Sequence, residues 1–198
     1  FAEKYYSMSP YQYGANSPVG NIDVNGDSII IKPNANGIID QIKVLFGYDT
    51  KFQKDVKADL FQLKQDDKKV ADIIGKLEES KNIHYITMPK KGEYNSTGFN
   101  ADKVKKNISQ GSEIYYNPYN RRRGRNDSDM RTPRIGLAHE LQHSFDVDKK
   151  VATYERTKNG ILLMDIRAIN TENRIRKVIG EPKRTMYGTC LLYTSPSP

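Results

Sequence analysis

The amino-acid sequence predicts an α+β fold, a small sheet backed by amphipathic helices, one of which carries a closely spaced pair of histidines. Three observations predict it. Residues 82–88 and 112–118 are short Ile- and Tyr-bearing runs, each ended by a proline that cannot extend a sheet ladder. Residues 56–78 place Leu60, Leu63, Val70, Ile73, Ile74 and Leu77 at mostly three- and four-residue spacings between Lys, Asp and Gln, which is the stripe of an amphipathic helix. Finally, Pro133 suits the first turn of a helix, and Ile135, Leu137, Ala138, Leu141 and Phe145 give that helix an apolar inner side around His139 and His143.

The elements follow in order. Residues 1–27 differ in texture from the rest, being dense in Tyr, Asn, Pro and Gly, which favour turns and short strands. A strand is predicted at 28–32 and a turn at 33–37, after which a helical portion begins. The helix over 56–78 is one element or two with a break near Gln65-Asp66-Asp67. The strand at 82–88, a polar stretch at 91–111 and the strand at 112–118 come next. A basic loop over 119–132 then leads into the histidine helix, and a second, acidic helix is predicted over 164–176.

Composition narrows the function classes. The net charge of +8, from 32 Lys+Arg against 24 Asp+Glu, favours anionic partners, and much of it is local to Arg121, Arg122, Arg123 and Arg125. A solvated loop and lysine-rich helix faces account for the same charge. No apolar run approaches the roughly 20 residues that a membrane-spanning helix needs. The single cysteine, Cys190, allows no internal disulfide, so the fold must stand without a covalent staple. The chain starts at Phe1 with no signal-type segment and reads as a piece of a longer protein. The last nine residues, 190–198, resemble the translation of a sequencing adapter and are set apart from the fold.

The chemistry concentrates in His139-Glu140-Leu141-Gln142-His143. Of three histidines in the chain, two stand here at i and i+4, a spacing that puts both imidazoles on one helix face toward one metal ion. Glu140 is the candidate general base. A catalytic zinc takes three protein ligands and keeps a position for water, so a third ligand must come from elsewhere. Asp165 and Glu172 are seven residues apart on the acidic helix and share a face. Either could ligate zinc while the other orients a histidine or an arginine; Asp165 is the preferred ligand. Asp146 and Glu155 suit the role less well, because Asp146 follows His143 by three residues and turns partly away. His84, on a strand, reads as structural.

Two resemblances extend this reading. Tyr6, Ser7, Ser9, Pro10, Tyr11, Tyr13, Asn16, Pro18, Val19, Ile22, Asp23 and Gly26 resemble the closing stretch of an Rhs-repeat core, with Val24 where that family often has Pro. Leu137-Ala138-His139-Glu140-Leu141-Gln142-His143, then Glu172-Asn173-Arg174-Ile175-Arg176, then Gly180-Glu181-Pro182-Lys183-Arg184-Thr185-Met186-Tyr187-Gly188 resemble the NleD-like effector zinc metallopeptidases. In that family the position of Asp165 is often Glu and is the expected third ligand. The element order is also similar to that of zincins, where the edge strand of a small sheet lines the cleft above the zinc helix.

The resemblances imply an Rhs-core end at 1–27 and a zincin-like zinc metallopeptidase toxin domain at 28–189. They imply Zn2+ as cofactor, and Arg184 and Tyr187 as stabilisers of the substrate carbonyl, although packing and helix-end roles remain open for both. Implied partners are a target-cell protein as substrate, the Rhs shell of the parent protein and a cognate immunity protein. The implied route is secretion or delivery from the producing bacterium into the cytoplasm of a target cell. The +8 charge leaves a nucleic-acid-directed toxin as an alternative, but no nuclease or base-stacking constellation accompanies it. A non-catalytic binding module that retains the fold is the other alternative.

Overall fold

The computed structural model describes residues 28–35, 37–124, 127–187 and 190–191. The Rhs-like segment 1–27 and residues 192–198 lie outside them. The described chain is α+β, with six helices and a small mixed sheet. Strands β1 (Ile29–Ile31), β2 (His84–Thr87) and β4 (Ser112–Tyr115) run parallel, and β3 (Ser96–Gly98) adds antiparallel to β4 at the edge, giving the order β1-β2-β4-β3.

Between β1 and β2 lie helices α1 (Ile38–Leu45), α2 (Lys51–Asp66) and α3 (Lys68–Glu78). The predicted break falls at Asp67. Its extended backbone ends α2, and its carboxylate caps α3 by accepting from the N–H groups of Lys69 at 2.9 Å and Val70 at 3.1 Å. At the other end of α2, Thr50 and Gln53 form a reciprocal capping box. The stripe read from the sequence is the buried one: Leu60, Leu63, Val70, Ile73, Ile74 and Leu77 join Ile86, Ile114 and Tyr116 in one core.

The polar stretch 91–111 contains two elements that periodicity does not announce. β3 is Ser-Thr-Gly and is a strand because β4 offers it an edge, and α4 (Ala101–Lys105) is started by Asn100. The basic loop contains the hairpin β5 (Arg122–Gly124) and β6 (Asp127–Met130). Near the C-terminus, β7 (Met186–Tyr187) pairs antiparallel with β8 (Cys190–Leu191), so regular pairing continues two residues into the segment that the sequence sets apart.

Helix α5 (Pro133–Asp148) is the centre of the molecule, with Pro133 in its first turn as predicted. It packs against α6 (Leu163–Ile179), α2, α3, β4 and β3. Surrounded on nearly every side, it buries apolar Leu137 and Leu141 together with polar His139, Glu140, Gln142, His143, Ser144 and Asp146. A helix buried all round must find internal partners for each polar side chain, and those partners define the site. No helix among the described residues is long and apolar enough to cross a membrane.

Candidate functional site

His139 and His143 meet one turn apart on α5, their rings edge to face with centroids 4.9 Å apart and planes at 76°. Their Nε2 atoms stand 3.3 Å from each other. Asp165, in the first turn of α6, brings Oδ1 to 3.6 Å from Nε2 of His143. Ligand atoms held at zinc–nitrogen and zinc–oxygen lengths of about 2.0–2.1 Å in a tetrahedron stand about 3.3–3.4 Å apart. The two imidazoles already have that spacing, and Asp165 stands a few tenths of an ångström outside it. Among the described residues no group of three or more His, Cys, Asp and Glu side chains stands close enough together to hold a metal ion. His139, His143 and Asp165 come nearest to that spacing.

Glu172 lies on the same face of α6 as Asp165 but meets the other side of the histidine pair. Its Oε2 is 3.3 Å from Nδ1 of His139, close in distance though off the hydrogen-bonding direction. The spacing of seven thus separates two positions: Asp165 lies on the Nε2 side of His143, while Glu172 lies on the Nδ1 side of His139. Glu172, the other candidate ligand, stands here on the Nδ1 side of His139.

Burial dominates the electrostatics. It holds His143 neutral, pushing its pKa down to about 3, with His139 and Arg167 adding to the effect. Burial thus keeps a proton off His143, whose Nε2 faces that of His139. Burial also raises the Glu140 carboxyl above its usual range, against the opposing pull of His139, of Thr97 and of Arg131. The Thr97 hydroxyl, on edge strand β3, lies 2.8 Å from Oε2 of Glu140 and 3.1 Å from its backbone oxygen, so β3 positions the candidate base. Glu172 goes the other way. Burial would raise it, but His139, Arg131 and Arg184 together hold it well below the carboxylate range.

The segment after α6 locks onto this site. Gly180 ends α6 in the left-handed region, at φ 76°, where glycine alone is unstrained. The turn brings Glu181 back to α5, where its Oε1 accepts from both the backbone N–H and the hydroxyl of Thr132 at 2.8 and 2.6 Å. Asn173 brackets the backbone of Arg184 with bonds of 3.0 and 2.7 Å. Arg184 then donates to Oε2 of Glu172 at 3.0 Å and stacks over Tyr187, its guanidinium carbon 5.0 Å from the ring centre. The Tyr187 hydroxyl bonds Asp165, and burial followed by that carboxylate pushes its pKa up to about 12. The two motifs downstream of the histidines are therefore one interlocked unit.

A cleft of about 580 Å³ opens over these groups, lined by His139, Glu140, His143, Asp165, Arg184 and Tyr187 with β3 along its rim. All seven candidate residues save Glu172, which sits behind His139, reach this cleft. Thr97, Asn95 and Arg131 also line it and are not singled out by the sequence; nothing local in a Ser-Thr-Gly strand or a lone arginine marks them. Arg121 is exposed and away from the cleft lining, and the side chains of 122–125 lie outside the described ones. His84 is fully buried in the sheet against Ser112, a structural position as predicted. Asp146, less suited as a ligand, instead accepts from Gln142 at 2.8 Å and from Arg167 at 2.8 Å. No family model, curated protein or solved structure matches this chain.

Proposed function

We propose that the chain is a zinc-dependent endopeptidase of zincin type, the toxic domain of an Rhs-repeat protein, and that it cuts a protein of a target cell. The observation that carries the reading is the 3.3 Å spacing of the His139 and His143 Nε2 atoms, with Asp165 at 3.6 Å on their open side and Glu140 beside them. His139, His143 and Asp165 would hold the ion. When bound, zinc supplies Lewis acidity, lowering the pKa of water toward about 7 and polarising a carbonyl.

The remaining work falls to the protein. Glu140, held by Thr97 and raised in proton affinity by burial, accepts a proton from the attacking water and passes it to the leaving amine. Glu172 keeps His139 turned so that its Nε2 faces the cleft. Arg184 and Tyr187, stacked on each other at the cleft wall, donate toward the carbonyl oxygen as it gains charge. The sequence resemblance adds the setting: delivery from an Rhs shell into the cytoplasm of a competitor or host cell, and an immunity protein in the producer.

The test compares the native chain with Glu140→Gln. Incubation of each with target-cell lysate, followed by labelling of new protein N-termini, should show zinc-dependent cuts from the native chain and a loss of about 10²–10⁴-fold in the variant. Toxicity and cleavage undiminished in Glu140→Gln would overturn the reading.

A further inference from the structure

Glu172 is surrounded by more positive charge than it can pair. A carboxylate offers about four acceptor positions. Arg176 takes Oε1 twice, through Nε at 3.0 Å and Nη2 at 2.9 Å, while Arg184 and His139 approach Oε2 at 3.0 and 3.3 Å. Arg131 is left at 3.7 Å from Oε1, beyond hydrogen-bond reach, and its buried Nε has no hydrogen-bond partner. Glu181, the other carboxylate of this cluster, is taken by Thr132 and Arg176. Glu140 attracts Arg131, but its carboxylate already accepts from the Thr97 hydroxyl. Arg131 is nevertheless only 5% exposed and lines the cleft. A desolvated guanidinium that lines a cleft, and whose nearest carboxylate is already shared by other donors, suits an anion.

The surroundings are shaped for one. Gly136, in the first turn of α5, has no side chain, and a Cβ there would stand 2.5 Å from Nη2 of Arg131 and 2.6 Å from Nδ2 of Asn95. The missing methyl leaves room for both nitrogens against this helix turn. Asn95 is oriented for donation, because its Oδ1 already accepts from the backbone N–H of Asn117 at 3.1 Å, which turns its amide N–H₂ to the other side. An arginine fork with an adjacent amide matches the two oxygens of a carboxylate.

We propose that Arg131 and Asn95 form a subsite for an acidic side chain of the substrate polypeptide, so that the cleft selects Asp or Glu close to the bond that is cut. The proposal rests on the peptidase reading for the polypeptide nature of the ligand, and on the geometry above for its charge.

Two capped peptides test it, acetyl-Ala-Ala-Glu-Ala-Ala-amide and the same peptide with Gln in place of Glu, titrated by calorimetry or NMR against the zinc-supplemented full chain. The Glu peptide should bind on the order of tenfold more tightly, as a charge-assisted hydrogen bond implies. That preference should fall to near unity in Arg131→Gln and in Gly136→Ala, the second of which keeps the charge and displaces the guanidinium. It should survive in part in Arg131→Lys. Equal binding of the two peptides by the native chain, a Glu preference that persists in Arg131→Gln, or binding of an uncapped pentaalanine in place of the capped Glu peptide would overturn the subsite. Preference for Glu with no hydrolysis of any peptide would leave the subsite standing and sink the peptidase reading, so the two failures are distinct.

Discussion

Helix α5 carries two buried polar clusters, and their difference shows what makes a site. At its C-terminal end, His84 from β2 is 2.9 Å from the Ser112 hydroxyl, which continues to Ser144 at 2.7 Å, while Asp148 lies 3.7 Å from the far ring nitrogen. Asp148 is itself held by Ser80 at 2.5 Å and Asn82 at 2.7 Å. One turn and a half earlier, His139 and His143 are about as buried as those groups, but their Nε2 atoms face each other at 3.3 Å and both line the cleft. A serine, a histidine and an aspartate close in space are here a sheet-to-helix brace, and none of them lines the cleft. Burial and residue type are shared by the two clusters; convergence on open space belongs to only one.

The largest effects should come from breaking the cleft cluster. Glu172→Ala leaves Arg131, Arg176 and Arg184 around a vacated charge, and loss of one partner of a buried ionic network costs about 3–5 kcal/mol. Chemical denaturation should show it, together with zinc affinity weakened about 10–100-fold because His139 loses its orienting carboxylate. At the brace, Ser112→Ala strands the His84 ring nitrogen and the Ser144 hydroxyl and should cost about 1–3 kcal/mol, with zinc affinity unchanged. A stability loss at Ser112 accompanied by zinc loss would erase the distinction between the clusters.

A smaller effect sharpens the comparison through pH. Burial is the main cause that lowers the His84 pKa below its ordinary 6.5, outweighing the attraction of Asp148. The unfolded chain therefore binds a proton that the folded chain refuses. The stability contributed by neutral His84 is fully present above about pH 6.5 and is lost as pH falls below it. Denaturation midpoints measured from pH 7.5 to 5 should fall, and His84→Asn should flatten that slope without abolishing it, since His143 is also held neutral by burial. An unchanged slope in His84→Asn would mean that the brace does not exclude the proton.

Much of this was legible in the sequence where local chemistry decides structure. The stripe over 56–78, the break at Asp67, Pro133 opening α5 and the shared face of Asp165 and Glu172 follow from periodicity and capping. Strand β3 was not legible, because Ser96-Thr97-Gly98 has no apolar alternation and pairs only because β4 presents an edge. Nor was Arg131, whose place at the cleft depends on Gly136 leaving room five residues later. The spacing of Asp165 and Glu172 could not decide which approaches which ring nitrogen, since both sit on one face of α6.

The central claim is that His139, His143 and Asp165 hold one zinc ion. Zinc stoichiometry and affinity of the purified chain, measured by competition with a colorimetric chelator, test it most directly. The account predicts one zinc per chain, lost in His139→Ala and in Asp165→Ala and retained in His84→Ala. A native chain without zinc affinity, or an Asp165→Ala variant that binds zinc as tightly as the native chain, would contradict it.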